Sequence, residues 1–156
     1  MSEETTTIRE EPLSECLDEM KPLFDLHWEE IALHKDKISL NPDYEKYIEM
    51  EAAGHLTTFV VRKDGAVVGY SIFFIAPHPH YKDHIYANND IVFMLPELRG
   101  STLAVKLLQC SEKVLKEKYS ASVIVVSMKV AAPFDKLMEY LDYGLIERSY
   151  SKYIGE

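Results

Sequence analysis

The chain has 156 residues, a mass of 18.0 kDa and a formal net charge of -9 at pH 7. A chain of this length buries one core, so we expect residues 1–156 to form a single domain. The excess of 26 acidic over 17 basic side chains excludes nucleic acid as an expected ligand. It is compatible with a polyamine, an aminoglycoside-like compound or a basic protein segment as a partner. The acidity can also simply support solubility.

Location and redox setting can be inferred from the same sequence. Cys16 and Cys110 lie far apart and form no metal-binding or disulfide spacing, which suits a reducing compartment. Residues 1–11 are rich in glutamate and lack the basic and apolar segments of a secretory signal. No apolar run is long enough to span a bilayer. We therefore expect a cytoplasmic protein without membrane contact.

Two helices and three strands are predicted in the first half of the chain. Residues 5–9 are β-branched and predict a strand, and residues 13–34 have apolar positions at helical spacing. Pro22 is expected to break or kink this helix into two pieces. A short helix over residues 43–53 is closed by Gly54. Asp64-Gly65 then predicts a hairpin between strands at residues 56–62 and 66–76.

The second half predicts a loop at residues 77–83 and a strand at 85–95 that ends at Pro96. An amphipathic helix follows at residues 101–119. Residues 122–130 are almost continuously apolar, which is typical of a central strand covered on both sides. A short helix at 133–141 and one or two strands within 143–154 complete the order. Together these elements predict an α/β (α+β) fold, a mixed, mostly antiparallel sheet with helices on both faces.

The most informative segment is the turn from the strand at 85–95 into the helix at 101–119. Such a turn points several backbone N–H groups and the positive end of the helix dipole at one place, where a phosphate can bind. Arg99 supplies a charge and Gly100 allows close backbone approach.

Here the sequence resembles the GNAT N-acetyltransferase superfamily. Its pyrophosphate loop has arginine or glutamine, two free positions, glycine, one free position, and glycine or alanine. Arg99 and Ala104 match this pattern, whereas Thr102 stands at the usual glycine. The resemblance covers about residues 57–154. The stretches at residues 26–30, 78–81 and 150–154 are similar to a GNAT subgroup often carried by bacteriophages.

The resemblance implies direct transfer of acetyl from acetyl-CoA to an amine, without a metal. The expected cofactor-binding residues are Val92, Phe93, Met94, Arg99, Gly100, Ser101, Thr102, Leu103 and Ala104. Strand alternation puts Asn88, Asp90, Val92 and Met94 on one face, and Asp90 is then the candidate general base or the organiser of a proton-carrying water. Tyr140, four residues before Gly144, is the candidate acid.

The histidines and nearby aromatic residues are candidates for the acceptor site. His80 could act as a second base, because an imidazole titrates near neutral pH. The expected substrate-binding residues are His27, Trp28, Glu30, His78 and Tyr81. Each has a plainer interpretation, since loop histidines are usually exposed and a single tryptophan usually packs in a core. The histidine spacing does not predict a metal site.

Two other functions remain open at this point. The chain could keep the fold yet act by binding a host protein, especially if it is phage-encoded, or it could be an unrelated α/β nucleotide binder. Thr102 and the absence of a clear acid favour contact with a host protein, whereas Arg99 and Asp90 favour catalysis. A homodimer would be common for the family.

Overall fold

The computed structural model describes residues 4–156, so Met1, Ser2 and Glu3 of the acidic N-terminal stretch lie outside it. The strands are β1 (Thr6–Glu10), β2 (Leu56–Lys63), β3 (Ala66–His78), β4 (Tyr81–Met94) and β5 (Ala121–Val125). The α-helices are α1 (Leu13–Ile31), α2 (Tyr44–Ala52), α3 (Leu103–Glu117) and α4 (Asp135–Tyr140), with a 3-10 turn at Pro96–Leu98. None of the described helices is long and apolar enough to cross a membrane.

The five strands form one sheet in the order β1-β2-β3-β4-β5. The first four are antiparallel, and β5 pairs with β4 in parallel. Asp64 and Gly65 both have positive φ, at 50° and 84°, as a two-residue hairpin turn requires. The predicted mixed sheet and its hairpin are therefore confirmed.

Helices cover both faces of this sheet, as predicted. Leu13, Leu17 and Met20 of α1 pack with Val60 and Ile72 on one face, which α2 also covers. On the other face, α3 and α4 bury Leu107, Leu108, Leu115 and Met138 against Phe59, Val61, Phe73 and Ala87. Apolar burial from both sides fixes the position of the central strands β2, β3 and β4.

The expected break at Pro22 is wrong, because α1 continues through it as one helix. Proline removes one backbone N–H, which leaves the carbonyl of Asp18 without its helical donor. Both Pro22 and Asp18 lie on the exposed side, where water can satisfy that carbonyl. Buried residues before and after the proline, Met20 and Leu23, hold the helix to the sheet on its other side.

The predicted loop at residues 77–83 is wrong as well. β3 extends to His78 and β4 begins at Tyr81, so only residues 79–80 form the turn. The ring of His78 packs across the hairpin on Tyr86, with centroids 4.5 Å apart. This ring contact stabilises strand pairing beyond the point where the prolines suggested a loop.

The C-terminal strands differ most from the prediction. The expected central strand at residues 122–130 is a short edge strand, Ala121–Val125, and Val123 on it is exposed. Residues 143–156 contain no strand, and Leu145, Ile146, Tyr150 and Ile154 are exposed. β-Branched residues favour an extended chain but do not by themselves supply a partner edge, and among the described strands only β4 pairs with β5.

Candidate active site

The site begins where β4 and β5 part. Their pairing ends at Asn88 and Val125, while β4 continues to Met94. The amide of Leu95 donates to the carbonyl of Val68 on β3, at 2.9 Å. Because backbone groups alternate along a strand, those of Val92 and Met94 point away from β3. This stretch of β4 therefore presents an open edge beside the diverging β5.

The turn after β4 presents a second set of unpaired backbone groups. Gly100 has φ of 81°, a conformation that favours glycine, and α3 begins three residues later. Within residues 4–156, the amide groups of Gly100, Thr102, Ala104 and Val105 have no hydrogen-bond acceptor. We call these four amides the amide cradle. At the positive end of a 15-residue helix, the cradle can bind an anion.

Arg99, the predicted phosphate ligand, is held by the protein. Its Nη2 donates to both carboxylate oxygens of Glu30 on α1, at 2.8 and 2.9 Å, and its Nε donates to the carbonyl of Met94 at 2.9 Å. Its Nη1 makes no hydrogen bond within the described part of the chain. The guanidinium thus links the turn to α1, and its Nη1 group remains available as a hydrogen-bond donor.

A β-bulge places Asp90. Ile72 pairs with Ile91 and Phe73 with Asn89, so Asp90 is the extra residue of β4. The Asn89 side chain fixes the bulge, because its Nδ2 donates to the carbonyls of Ile72 at 3.2 Å and Ile91 at 2.8 Å.

The bulge reverses the side-chain alternation of β4. Asp90 contacts α2 on the α1–α2 face, whereas Val92 and Met94 pack on the α3–α4 face. The expectation that Asn88, Asp90, Val92 and Met94 share one face is therefore wrong, since strict alternation holds only for an unbroken strand.

The carboxyl group of Asp90 is partly buried, and the hydroxyl of Tyr47 donates a hydrogen bond to it at 2.7 Å. Burial raises the pKa of Asp90, and the hydrogen bond from Tyr47 partly opposes that rise. Burial and the adjacent carboxylate also raise the pKa of Tyr47, so the phenol remains protonated and continues to donate.

Asp90 lies at the wall of a cavity of about 440 Å³ between α1, α2 and β4. Its lining residues are Leu13, Phe24, His27, Trp28, Ile31, Ala32, Leu33, His34, Leu40, Pro42, Tyr44, Tyr47, Asp90, Ile91, Lys129 and Ser151. The predicted residues His27 and Trp28 are among them, and burial lowers the pKa of His27 and favours its neutral form.

Sequence reasoning missed Tyr44 and Tyr47, although their spacing of three places both on one face of a short helix. Glu30 does not line the cavity, since its carboxylate binds Arg99.

The structure does not bring the predicted loop residues His78, His80 and Tyr81 to this cavity. They cluster at the tip of the β3–β4 hairpin, where the ring of His78 lies 5.3 Å from that of His80 and 5.0 Å from that of Tyr81. The ring of Tyr81 also lies 6.2 Å from that of Tyr86, which precedes Asp90 by four residues of strand, or roughly 13 Å. None of the three predicted loop residues lines the cavity, so the structure does not bring His80 to the carboxyl group of Asp90.

Tyr140, the candidate acid, is also placed apart from Asp90. Its side chain is 72% exposed on α4, and it does not line the cavity. The nearby Tyr143 is half-buried, but its hydroxyl donates to Glu112 on α3 at 2.9 Å. Counting four residues back from Gly144 selects Tyr140, but α4 buries Met138 and leaves Tyr140 facing solvent.

The Asp90–Tyr47 contact gives a prediction about titration. In Tyr47→Phe, the Asp90 carboxyl should titrate at higher pH than in the parent protein, because the hydrogen bond that lowers its pKa is lost while burial remains. Carboxyl carbon NMR over a pH series measures this directly. Tyr44→Phe is the matched control, since Tyr44 lines the same cavity; equal shifts in both variants would contradict the assigned contact.

Comparison with known proteins agrees with this architecture. A sequence profile described as the acetyltransferase (GNAT) family matches residues 17–139. A search of curated proteins finds no match.

Among solved structures, a ribosomal-protein-alanine N-acetyltransferase from Brucella melitensis biovar Abortus 2308 is 22% identical. It has a TM-score of 0.71, with 97% of this chain and 100% of that chain covered. An aminoglycoside acetyltransferase from an uncultured soil metagenomic sample, in complex with sisomicin, is 12% identical. Its TM-score is also 0.71, and 97% of this chain and 95% of that chain are covered.

A predicted acetyltransferase from Clostridium acetobutylicum, solved with acetyl-CoA, is 11% identical. It has a TM-score of 0.69 and covers 96% of each chain. At these identities the likeness to solved structures shows the fold, while the profile spans most of the sequence. The chain therefore belongs to the GNAT acetyltransferase family, as an acyltransferase whose cofactor is acetyl-CoA.

Proposed function

We propose that residues 1–156 form one acetyltransferase domain that transfers acetyl from acetyl-CoA directly to a primary amine. The observation that carries the proposal is the unpaired stretch of β4, with the partly buried carboxyl of Asp90 at its start and the amide cradle after its end. Proton-accepting and anion-binding groups thus flank the part of β4 that extends beyond its pairing with β5.

The residues present fit the cofactor. The amide cradle and the available Nη1 of Arg99 would hold its pyrophosphate. The outward backbone groups of Val92 and the amide of Met94 would hold its amide-containing arm, since the carbonyl of Met94 already accepts from Arg99. Phe93 is buried and packs in the core. Thr102 is exposed at the N-cap of α3 and makes no capping hydrogen bond, so its amide is available in spite of the missing glycine. When bound, the cofactor supplies the activated acyl group.

Asp90 is proposed to accept the proton of the amine. A carboxyl whose pKa is raised by burial is a stronger base than an exposed one, provided that it is ionised at the working pH. The hydrogen bond from Tyr47 to one carboxylate oxygen orients the group, and the second oxygen has no hydrogen-bond donor among the described residues. Tyr47 is therefore proposed as a positioning residue, and the acceptor amine would lie in the cavity that Asp90 lines.

One observation favours a second candidate function, contact with a host protein by a phage-borne chain. Leu145, Ile146, Tyr150 and Ile154 expose large apolar side chains in the C-terminal segment, and exposed apolar groups on this scale are typical of interaction surfaces. Under this alternative the fold would be kept while catalysis is weak or absent.

Calorimetry and an acetylation assay separate these functions. We expect CoA and acetyl-CoA to bind with Kd between about 1 μM and 1 mM, and mass spectrometry to show acetylation of a primary amine. No binding of CoA at millimolar concentration would contradict the proposal and favour contact with a protein. Tighter binding of ATP than of CoA would instead indicate an unrelated nucleotide site.

A further inference from the structure

We infer that the acceptor is a small primary monoamine with an apolar or aromatic body, and not a polycation. This inference rests on the proposed function and specifies its substrate class. It comes from three properties of the cavity beside Asp90: its walls, its charges and the occupied faces of its aromatic rings.

The walls of the cavity are mostly apolar. Phe24, Trp28, Ile31, Leu40 and Tyr44 line it, and the rings of Phe24 and Tyr44 stack with centroids 6.1 Å apart. A volume of about 440 Å³ is in the range of pockets that enclose small molecules. Burying hydrocarbon or an aromatic ring against such walls is favourable, whereas hydroxyl-rich or charged groups would find few hydrogen-bond partners there.

The charges of the cavity suit one ammonium group. Among the lining residues Asp90 is the only carboxylate, and Lys129 adds a positive charge. The nearby carboxylate of Glu30 is paired with Arg99 and does not line the cavity. The net charge of -9 is therefore not concentrated here, and a second ammonium would be buried without a partner.

The aromatic rings do not provide a site for a second ammonium group in place of a second carboxylate. Aromatic faces can attract cations, but Lys35 Nζ already lies 5.3 Å from the ring centroid of Trp28, and Lys21 Nζ lies 5.1 Å from that of Tyr44. Both lysines are also paired with carboxylates, Lys35 with Glu29 at 3.4 Å and Lys21 with Asp18 at 3.1 Å. A polyamine or an aminoglycoside would bring further ammonium groups to a cavity whose lining offers one carboxylate and the positive charge of Lys129, whereas a monoamine would direct its single charge to Asp90.

The test compares 2-phenylethylamine and n-hexylamine with spermidine and neamine. We expect kcat/KM for the two monoamines to exceed that for the two polycations by about tenfold or more, which corresponds to one step of 1.4 kcal/mol. Higher kcat/KM for spermidine or neamine would overturn the inference while leaving the acetyltransferase function intact.

Trp28 provides a readout that does not depend on turnover, because it is the only tryptophan and lines the cavity. We expect 2-phenylethylamine to change its fluorescence saturably and spermidine not to do so. Saturable binding without acetylation would support the ligand class and overturn the enzymatic function. A response to spermidine alone would overturn the ligand class.

A charge variant tests the cause of the selectivity. Leu40→Glu adds a carboxylate to the cavity wall and should raise the kcat/KM ratio of spermidine to n-hexylamine by about tenfold. Leu26→Glu adds the same charge at a position on α1 that is 49% exposed and does not line the cavity, and should leave the ratio unchanged. Equal ratios in both variants and the parent would contradict the role of cavity charge.

Discussion

Replacing Asp90 with Asn is expected to lower kcat for acetyl transfer by about 100-fold or more, with CoA affinity changed by less than about twofold. The amide keeps the size of the side chain and can still accept the hydrogen bond from Tyr47. It cannot accept a proton from the amine, so kcat should fall. It lies on the opposite face of the sheet from the side chains of Val92 and Met94, so CoA binding should be little affected. Stopped-flow or steady-state assays give kcat, and calorimetry gives the CoA affinity.

The same substitution should stabilise the fold near neutral pH. Since the pKa of Asp90 in the folded chain is raised above its ordinary value of 3.8, the folded state holds the proton more tightly than the unfolded state. Stability from this group is present below pH 3.8 and is lost as pH rises through the raised pKa. Asp90→Asn removes that loss, so its thermal midpoint should exceed that of the parent at pH 7 and match it at pH 3.5.

Asp83→Asn is the matched control, because it makes the same chemical change at an exposed position of β4. It should alter neither kcat nor the thermal midpoint. If Asp90→Asn retained full kcat, the proton-accepting role would be wrong. If it instead lowered the midpoint at pH 7, burial of the charge could not be the source of the raised pKa.

The second large effect concerns the ion pair between Arg99 and Glu30. Arg99→Ala should weaken CoA binding by about 10- to 100-fold, because it removes a charged donor beside the amide cradle. Glu30→Gln should strengthen CoA binding by about threefold to tenfold, since the carboxylate that now competes for the guanidinium becomes neutral. Calorimetry with CoA at two salt concentrations would measure both changes, and both should shrink at high salt.

Glu29→Gln is the control for this pair. It removes an equal charge one residue away on α1, where the carboxylate contacts Lys35 and not Arg99. It should leave the CoA affinity nearly unchanged. Weaker binding in Glu30→Gln would show that the ion pair itself holds Arg99 in its binding position, and the competition argument would then be withdrawn.

Sequence patterns were sufficient where the determinant is local. Asp64-Gly65 fixes the β2–β3 turn, and helical spacing of Leu107, Leu108 and Leu115 identifies the buried face of α3. The turn at Arg99 and Gly100 likewise follows from neighbouring residues, so the strand-to-helix connection and the family were predictable. Local rules failed at Pro22, because packing of α1 on the sheet outweighs one missing hydrogen bond.

The candidate site depends on contacts between distant residues, which periodicity does not reveal. Tyr47 and Asp90 are 43 residues apart, and Glu30 and Arg99 are 69 apart. The bulge at Asp90 requires the paired strand β3 and the carbonyl of Ile72. Hence Asp90 could be selected from the sequence as a candidate, while its face, its hydrogen-bond donor and its cavity could not.

The extra residue in β4 also constrains how this strand can change in length. Deleting one residue at the bulge would restore strict alternation, turn the carboxyl group of Asp90 toward the α3 side and leave the cavity without a carboxylate. A one-residue insertion after the bulge would instead exchange the sides of Ile91 and Val92. Substitutions can therefore accumulate along β4, but a single insertion or deletion there would remove the proposed acceptor site even if the sheet still formed.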